Sequence, residues 1–206
     1  MKILRVHCSP RERLSESYRL SESIVRRLLD RHPAARILDR ALNADTISHV
    51  DGGYAAALGK LEGDGQPLAQ GSMAESERLI RELEDADCLV IGTPMHNYTV
   101  PSSLKAWIDH VVRVRRTFRV TPEGKVGLLR DRPVFVAVSA GGRYCADGAR
   151  PTDFLTPYLT VVLNTIGLRD VRFFSVQGAA LGERELAKAR SLAEQEMDGH
   201  FAVMEA

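Results

Sequence analysis

Three short stretches of the chain carry more hydrogen-bonding chemistry than packing requires. The first, residues 9–17, holds Ser9, Ser15, Glu16 and Ser17 and opens into a segment of helical period. Serine hydroxyls and the unpaired N–H groups of a helix start make an anion seat, because the donors and the helix dipole both favour negative charge. A terminal phosphate suits it, each charge-assisted hydrogen bond contributing about 1.5–3 kcal/mol. The pattern G-x-x-x-x-G-K-[ST] does not occur, which argues against a nucleoside triphosphate. Glu16 opposes an anion: at about 6 Å and an effective dielectric near 20 its charge costs on the order of 3 kcal/mol, and turned into water under about 1 kcal/mol. Its carboxylate is expected to point outward, leaving its backbone N–H for the phosphate. The plainer alternative is that Ser9 and Ser15 are only turn and cap residues.

The second stretch, residues 92–101, brings Met95, His96, Asn97 and Tyr98 together between Pro94 and Pro101. It offers apolar surface, backbone amides, a side-chain amide and two rings, as a planar heteroaromatic ligand requires. Taken singly, Met95 and Tyr98 are more often core residues. The third stretch, Ser139, Ala140, Gly141, Gly142, Arg143 and Tyr144, places two glycines where a backbone must come close to something, or simply turn. Together the three stretches read as a phosphate at one end and a planar ring at the other.

Such stretches act together only if the fold gathers them. Short apolar runs at 3–6, 36–38, 88–92, 134–138 and 171–176 alternate with helical periodicity over 16–31, 74–83, 101–112, 152–166 and 183–204. Pro33 closes the first helix, Pro101 suits a first turn, and Gly167 suits a left-handed cap. Residues 117–129 alternate around Pro122, Glu123 and Gly124, which predicts a hairpin, and the glycine-rich excursion 43–72 admits a short helix over 54–61. Five strands, each followed by a helix, predict an α/β flavodoxin-like fold: a doubly wound five-stranded parallel sheet of order 2-1-3-4-5, helices on both faces and an added β-hairpin, with residues 1–206 as a single domain. In such a sheet the ligand lies at the carboxyl ends of the strands, where the three stretches emerge.

Composition sets the outer bounds. The 206 residues hold 28 Lys+Arg against 27 Asp+Glu, a formal net charge of +1, so no basic excess is available for nucleic acid. Cys8, Cys88 and Cys145 form no C-x-x-C pair, and His7, His32, His49, His96, His110 and His200 form no close ligand pair, so neither a disulfide framework nor a metal site is expected. Arg5 interrupts the first apolar run before it can serve as a signal-peptide core, and no run reaches the roughly 20 apolar residues of a membrane helix. A cytoplasmic protein with no membrane partner is expected.

The residues Pro94 to Tyr98, Leu104 to Asp109, Ser139 to Gly142 and Pro151 to Leu159, in that order and spacing, resemble the FMN-dependent NADH-azoreductase and NAD(P)H:quinone oxidoreductase family of flavodoxin-like proteins. The resemblance spans nearly the whole chain. It implies one FMN per subunit, its phosphate held by Ser9, Ser15, Glu16 and Ser17. Its ring would be lined by Met95, His96, Asn97 and Tyr98 and met on the pyrimidine side by Ser139, Ala140, Gly141 and Gly142. It further implies a homodimer in which Phe118, Phe154 or Tyr158 wall the substrate pocket. The family commonly has tyrosine at His96 and glutamine at Glu16.

With FMN present, NADH or NADPH would be the donor and a quinone or azo compound the acceptor, the two using one face in turn. His96 and Tyr144 are the candidate proton donors. Other classes stay open at this point: a flavodoxin-type electron carrier, or a flavin-free binding module on the same fold. A serine hydrolase is disfavoured because no G-x-S-x-G elbow is present.

Overall fold

In the computed structural model, residues 1–59, 71–144 and 153–203 are described. The strands are β1 Lys2–His7, β2 Arg36–Ala41, β3 Cys88–Pro94, β4 Phe118–Thr121, β5 Gly124–Gly127, β6 Val134–Ala140 and β7 Val171–Gln177. The helices are α1 Glu16–Arg31, α2 Gly52–Gly59, α3 Gly71–Asp85, α4 Ser102–Val111, α5 Leu155–Ile166 and α6 Glu183–Val203. Five strands form one parallel sheet of order β2-β1-β3-β6-β7, which is the expected 2-1-3-4-5 order once the separate β4–β5 hairpin is set aside. Cys145, the expected helix start at Thr152 and the end of the expected 54–61 helix fall outside the described residues.

The sheet's centre follows from its sequence. All residues of β6, and all of β3 but Pro94, are buried, as uninterrupted apolar strands covered on both faces should be. One face carries Leu20, Ile24, Leu28, Met197 and Phe201 from α1 and α6. The other carries Leu79, Leu83, Leu104, Trp107, Leu155 and Leu159 from α3, α4 and α5. Two cores on two sides of one sheet are what a doubly wound topology produces.

Helix ends follow local chemistry, with one adjustment. Gly167 ends α5 at φ 104°, the left-handed cap its position predicts. Pro101 lies one place earlier than expected, at the N-cap of α4 with ψ 155°; its carbonyl accepts from the Lys105 N–H, so the helix proper begins at Ser102. Among the described residues no helix is long and apolar enough to cross a membrane.

The end of α4 is locked to α3 by charge. Arg113 and Arg116 both donate to the Glu77 carboxylate, and Arg116 also reaches Glu84 at 2.7 Å. Burial opposes ionisation of Glu77, but the hydrogen bonds from Arg116 and Arg113 outweigh it and hold the carboxyl down to about 2. A carboxyl lowered on folding contributes stability that is full above its unfolded value and lost as pH falls through the folded one. With an unfolded value near 4.3, the window runs from about pH 5 down to pH 2, and about 2–3 kcal/mol is at stake. Glu77→Gln is expected to destabilise the protein by about that amount at pH 7 and to flatten this part of its acid profile. Chemical denaturation at pH 7 and pH 3 checks it, equal slopes for the two proteins being the contrary outcome.

Candidate functional site at the carboxyl ends of the strands

Parallel register brings the three stretches side by side. His7 pairs with Gly92, Gly92 with Ala137 and Pro94 with Ser139, so the chain leaves β1, β3 and β6 at one edge of the sheet. Strand order reverses between β1 and β3, and the crevice there is where open α/β sheets take ligands. Gly92 lets α1 close onto this edge: a Cβ there would lie 3.0 Å from the Ser17 carbonyl oxygen and 3.1 Å from Ser21 Oγ.

In the first stretch the Arg11 N–H donates to Ser9 Oγ at 3.2 Å, and a short 3-10 turn at Glu12–Leu14 leads to Ser15. Ser15 is the N-cap of α1: its Oγ accepts from the Tyr18 N–H at 3.1 Å and donates to the Glu12 carbonyl at 2.9 Å. Ser17 Oγ lies 3.3 Å from Ser15 Oγ. Capping thus takes up much of Ser15, while the Glu16 and Ser17 N–H groups, in the first turn, have no partner within the helix.

Glu16 departs from expectation. Its carboxylate is not turned into water but is only 15 % exposed, held by Arg190 of α6 through Nε at 2.7 Å and Nη2 at 2.6 Å. The hydrogen bond from Arg190 keeps its carboxyl below the usual carboxylate range against the opposing effect of burial.

The second stretch is a tight turn. Met95 N–H donates to the Ser139 carbonyl at 2.7 Å, tying β3 to β6, and His96 and Thr99 exchange backbone hydrogen bonds of 2.9 and 3.0 Å. Between them Asn97 and Tyr98 take φ 48° and 71°. Both are left-handed, which asparagine tolerates and an aromatic residue adopts only under constraint. Their N–H groups meet no acceptor among the described residues. His96, Asn97 and Tyr98 are exposed and Met95 is half-buried.

In the third stretch Ser139 and Ala140 are buried while Gly141 and Gly142 are exposed. The carbonyls of Ala140, Gly141 and Gly142 accept from the N–H groups of Ala179, Ala180 and Gly178 respectively, at 2.9–3.1 Å, so the turn after β7 fixes the glycine loop. A Cβ on Gly142 would meet nothing within 4 Å among the described residues. The described residues therefore impose no steric need for glycine there.

Of the expected pocket walls, Phe154 is 63 % exposed at the start of α5 and Tyr158 is half-buried one turn on. Phe118 is instead turned inward on the hairpin, with Lys125 Nζ 5.3 Å above its ring. Tyr144 is likewise buried in the core, leaving His96 as the exposed one of the two candidate proton donors. A cavity of about 400 Å³ opens between β7 and α6, lined by Gln177, Glu185 and Lys188 together with Arg143 from the end of the glycine loop. Its lining holds no residue of the first or second stretch, and its helix start, at α6, carries the acidic Glu185, so the crevice is the better site for an anion and a ring.

A family model described as flavodoxin-like fold matches residues 1–201. An FMN-dependent NADH:quinone oxidoreductase of Cupriavidus pinatubonensis is 45% identical over 187 residues, covering 91% of each chain. Another, of Pseudomonas fluorescens, is 46% identical over 88% of this chain and 86% of its own. The chain belongs to this family. Among solved structures, an FMN-dependent NADH-azoreductase of Bacillus anthracis in complex with FMN superposes over the full length of both chains with a TM-score of 0.85 at 24% identity, a likeness of fold.

The crevice fits the cofactor of this family on features of its own. The first turn of α1 has N–H groups with no partner within the helix, the Asn97–Tyr98 turn has two more that meet no acceptor among the described residues, and Gly141 and Gly142 are exposed. Arg190 is the residue that sequence reading missed. It stands 174 positions from Glu16, in the middle of an ordinary amphipathic helix, and no local spacing marks it.

Proposed function

We propose that the chain is an NADH:quinone oxidoreductase that holds FMN on these three loops, with Ser9, Ser15, Ser17 and the Glu16 N–H at the phosphate. Met95, His96, Asn97 and Tyr98 line the ring, and Ser139, Ala140, Gly141 and Gly142 meet its pyrimidine side. The observation that carries this reading is the strained pair Asn97 and Tyr98, whose left-handed backbone leaves two N–H groups at the strand ends with no acceptor among the described residues. Strain of this kind persists where it serves a site. Bound FMN would supply two-electron chemistry between a nicotinamide that gives up a hydride and an acceptor that takes two electrons. The protein binds, orients and polarises: preorganised N–H groups at Asn97, Gly141 and Gly142 stabilise negative charge developing on the pyrimidine side. His96, exposed beside this surface, is the proton donor to the acceptor.

Overall, NADH, a proton and a quinone become NAD⁺ and a hydroquinone; NADPH is the alternative donor and an azo compound the alternative acceptor. A homodimer completes the pocket. Tyr98 and Phe154, 57 % and 63 % exposed, are joined by the Phe154 N–H donating to the Tyr98 carbonyl at 3.0 Å, and together they give an apolar surface beside the second stretch. The near-neutral charge and the buried free thiols of Cys8 and Cys88 support a cytoplasmic setting without nucleic-acid or membrane partners.

One open face serving donor and acceptor in turn gives ping-pong kinetics. With FMN-loaded protein, double-reciprocal plots of NADH oxidation at several quinone concentrations are expected to be parallel. Intersecting lines would reject a shared face. Yellow protein that oxidises neither NADH nor NADPH would favour a one-electron carrier.

A further inference from the structure

The Glu16–Arg190 pair has a role beyond joining two helices. Glu16 is the first residue of α1, so its carboxylate begins at the turn whose N–H groups are offered to an anion. A lone carboxylate there would repel a phosphate dianion, and being only 15 % exposed it is poorly screened by water. Arg190 answers both difficulties. Its guanidinium donates to both carboxylate oxygens, at 2.7 and 2.6 Å, a bidentate grip that cancels the charge and fixes the side chain toward α6.

Among the described residues Arg190 donates to no carboxylate other than Glu16. Glu194, one turn further along α6 and lining the same small cavity, is engaged by Ser23 at 2.9 Å and Arg27 at 2.6 Å. The remaining cationic neighbour in that cavity, Arg19, makes no hydrogen bond to Glu16 among the described residues. The grip spans 174 residues, so the last helix of the chain conditions the first loop of the site.

We propose that Arg190 is a positioning residue for the phosphate seat: by neutralising and turning Glu16 it makes the α1 start electrostatically fit for the FMN phosphate. The inference rests on the flavin reading above. It separates two things a helix–helix ion pair can do, since structural bracing acts on any flavin equally, whereas charge compensation acts only on one that carries a phosphate.

Fluorescence titrations with FMN and with riboflavin, which lacks the phosphate, distinguish them. Arg190→Gln is expected to weaken FMN binding about tenfold or more while riboflavin affinity stays within about twofold. Glu16→Gln added to Arg190→Gln removes the stranded charge and is expected to restore FMN affinity to within about threefold of the wild type, as is Arg190→Lys. The proposal is overturned if Arg190→Gln binds FMN like the wild type, if both flavins weaken alike, or if the double variant fails to recover. Wild-type protein that binds no FMN overturns this inference and the flavin reading together. Wild-type binding with an indifferent Arg190→Gln overturns this inference alone.

Discussion

Gly142→Val is expected to melt within about 2 °C of the wild type and yet bind FMN about a hundredfold more weakly. The first half follows from the surroundings of Gly142: no φ in the left-handed region, and nothing within 4 Å of a built Cβ among the described residues. Exposed substitutions away from special features stay within about 0.5 kcal/mol, and a domain of this size shifts by about 2–4 °C per kcal/mol. The second half follows from the ligand, because two added methyl groups would stand where the backbone must approach the ring closely. A hundredfold corresponds to about 2.7 kcal/mol, a moderate figure for displacing a planar ring from its hydrogen-bonding edge. Differential scanning fluorimetry and an FMN titration on the same sample check both halves. A large fall in melting temperature with unchanged FMN affinity would mean that the glycine serves the turn alone.

The largest expected effect on the fold lies elsewhere, where the hairpin seats on α5. A Cβ on Gly127 would lie 2.2 Å from the Gly167 nitrogen and 2.4 Å from its Cα. These are backbone atoms, and Gly167 is itself fixed at φ 104° with the Leu129 carbonyl oxygen 2.7 Å from its own would-be Cβ. Neither side has a flexible chain end that can move aside. Gly127→Ala is therefore expected to cost about 3 kcal/mol or more, lowering the melting temperature by about 6–12 °C. Thermal melts followed by circular dichroism measure it. A drop under about 2 °C would show that the hairpin can lift from α5 without loss, and that the close approach is incidental.

These two glycines mark what could and could not be read in advance. Strands β3 and β6 were legible because a strand buried on both faces is an apolar run whatever its partners, and Gly167 because a helix stop followed by glycine has a local cause. The three loops were legible as a set once the strands were in order, since parallel topology sends them to one edge. The 3-10 turn at Glu12–Leu14 was not, as three residues carry no periodicity. Contacts distant in sequence also escaped: Gly127 against Gly167, Arg113 and Arg116 on Glu77, and above all Arg190 on Glu16. The inward turn of Phe118 escaped for a related reason. Alternation along a hairpin says which residues share a face, but only the packing of the hairpin decides which face is inside.

The central claim is that one FMN, seated at the ends of β1, β3 and β6, takes electrons from a nicotinamide and gives them to a quinone in separate half-reactions. The most direct test is an anaerobic titration of FMN-loaded protein, following the colour of the bound flavin. One equivalent of NADH is expected to bleach it with no acceptor present, and one equivalent of a benzoquinone then to restore it. Protein whose flavin stays yellow with NADH alone, the NADH being oxidised only once quinone is also present, would contradict the account.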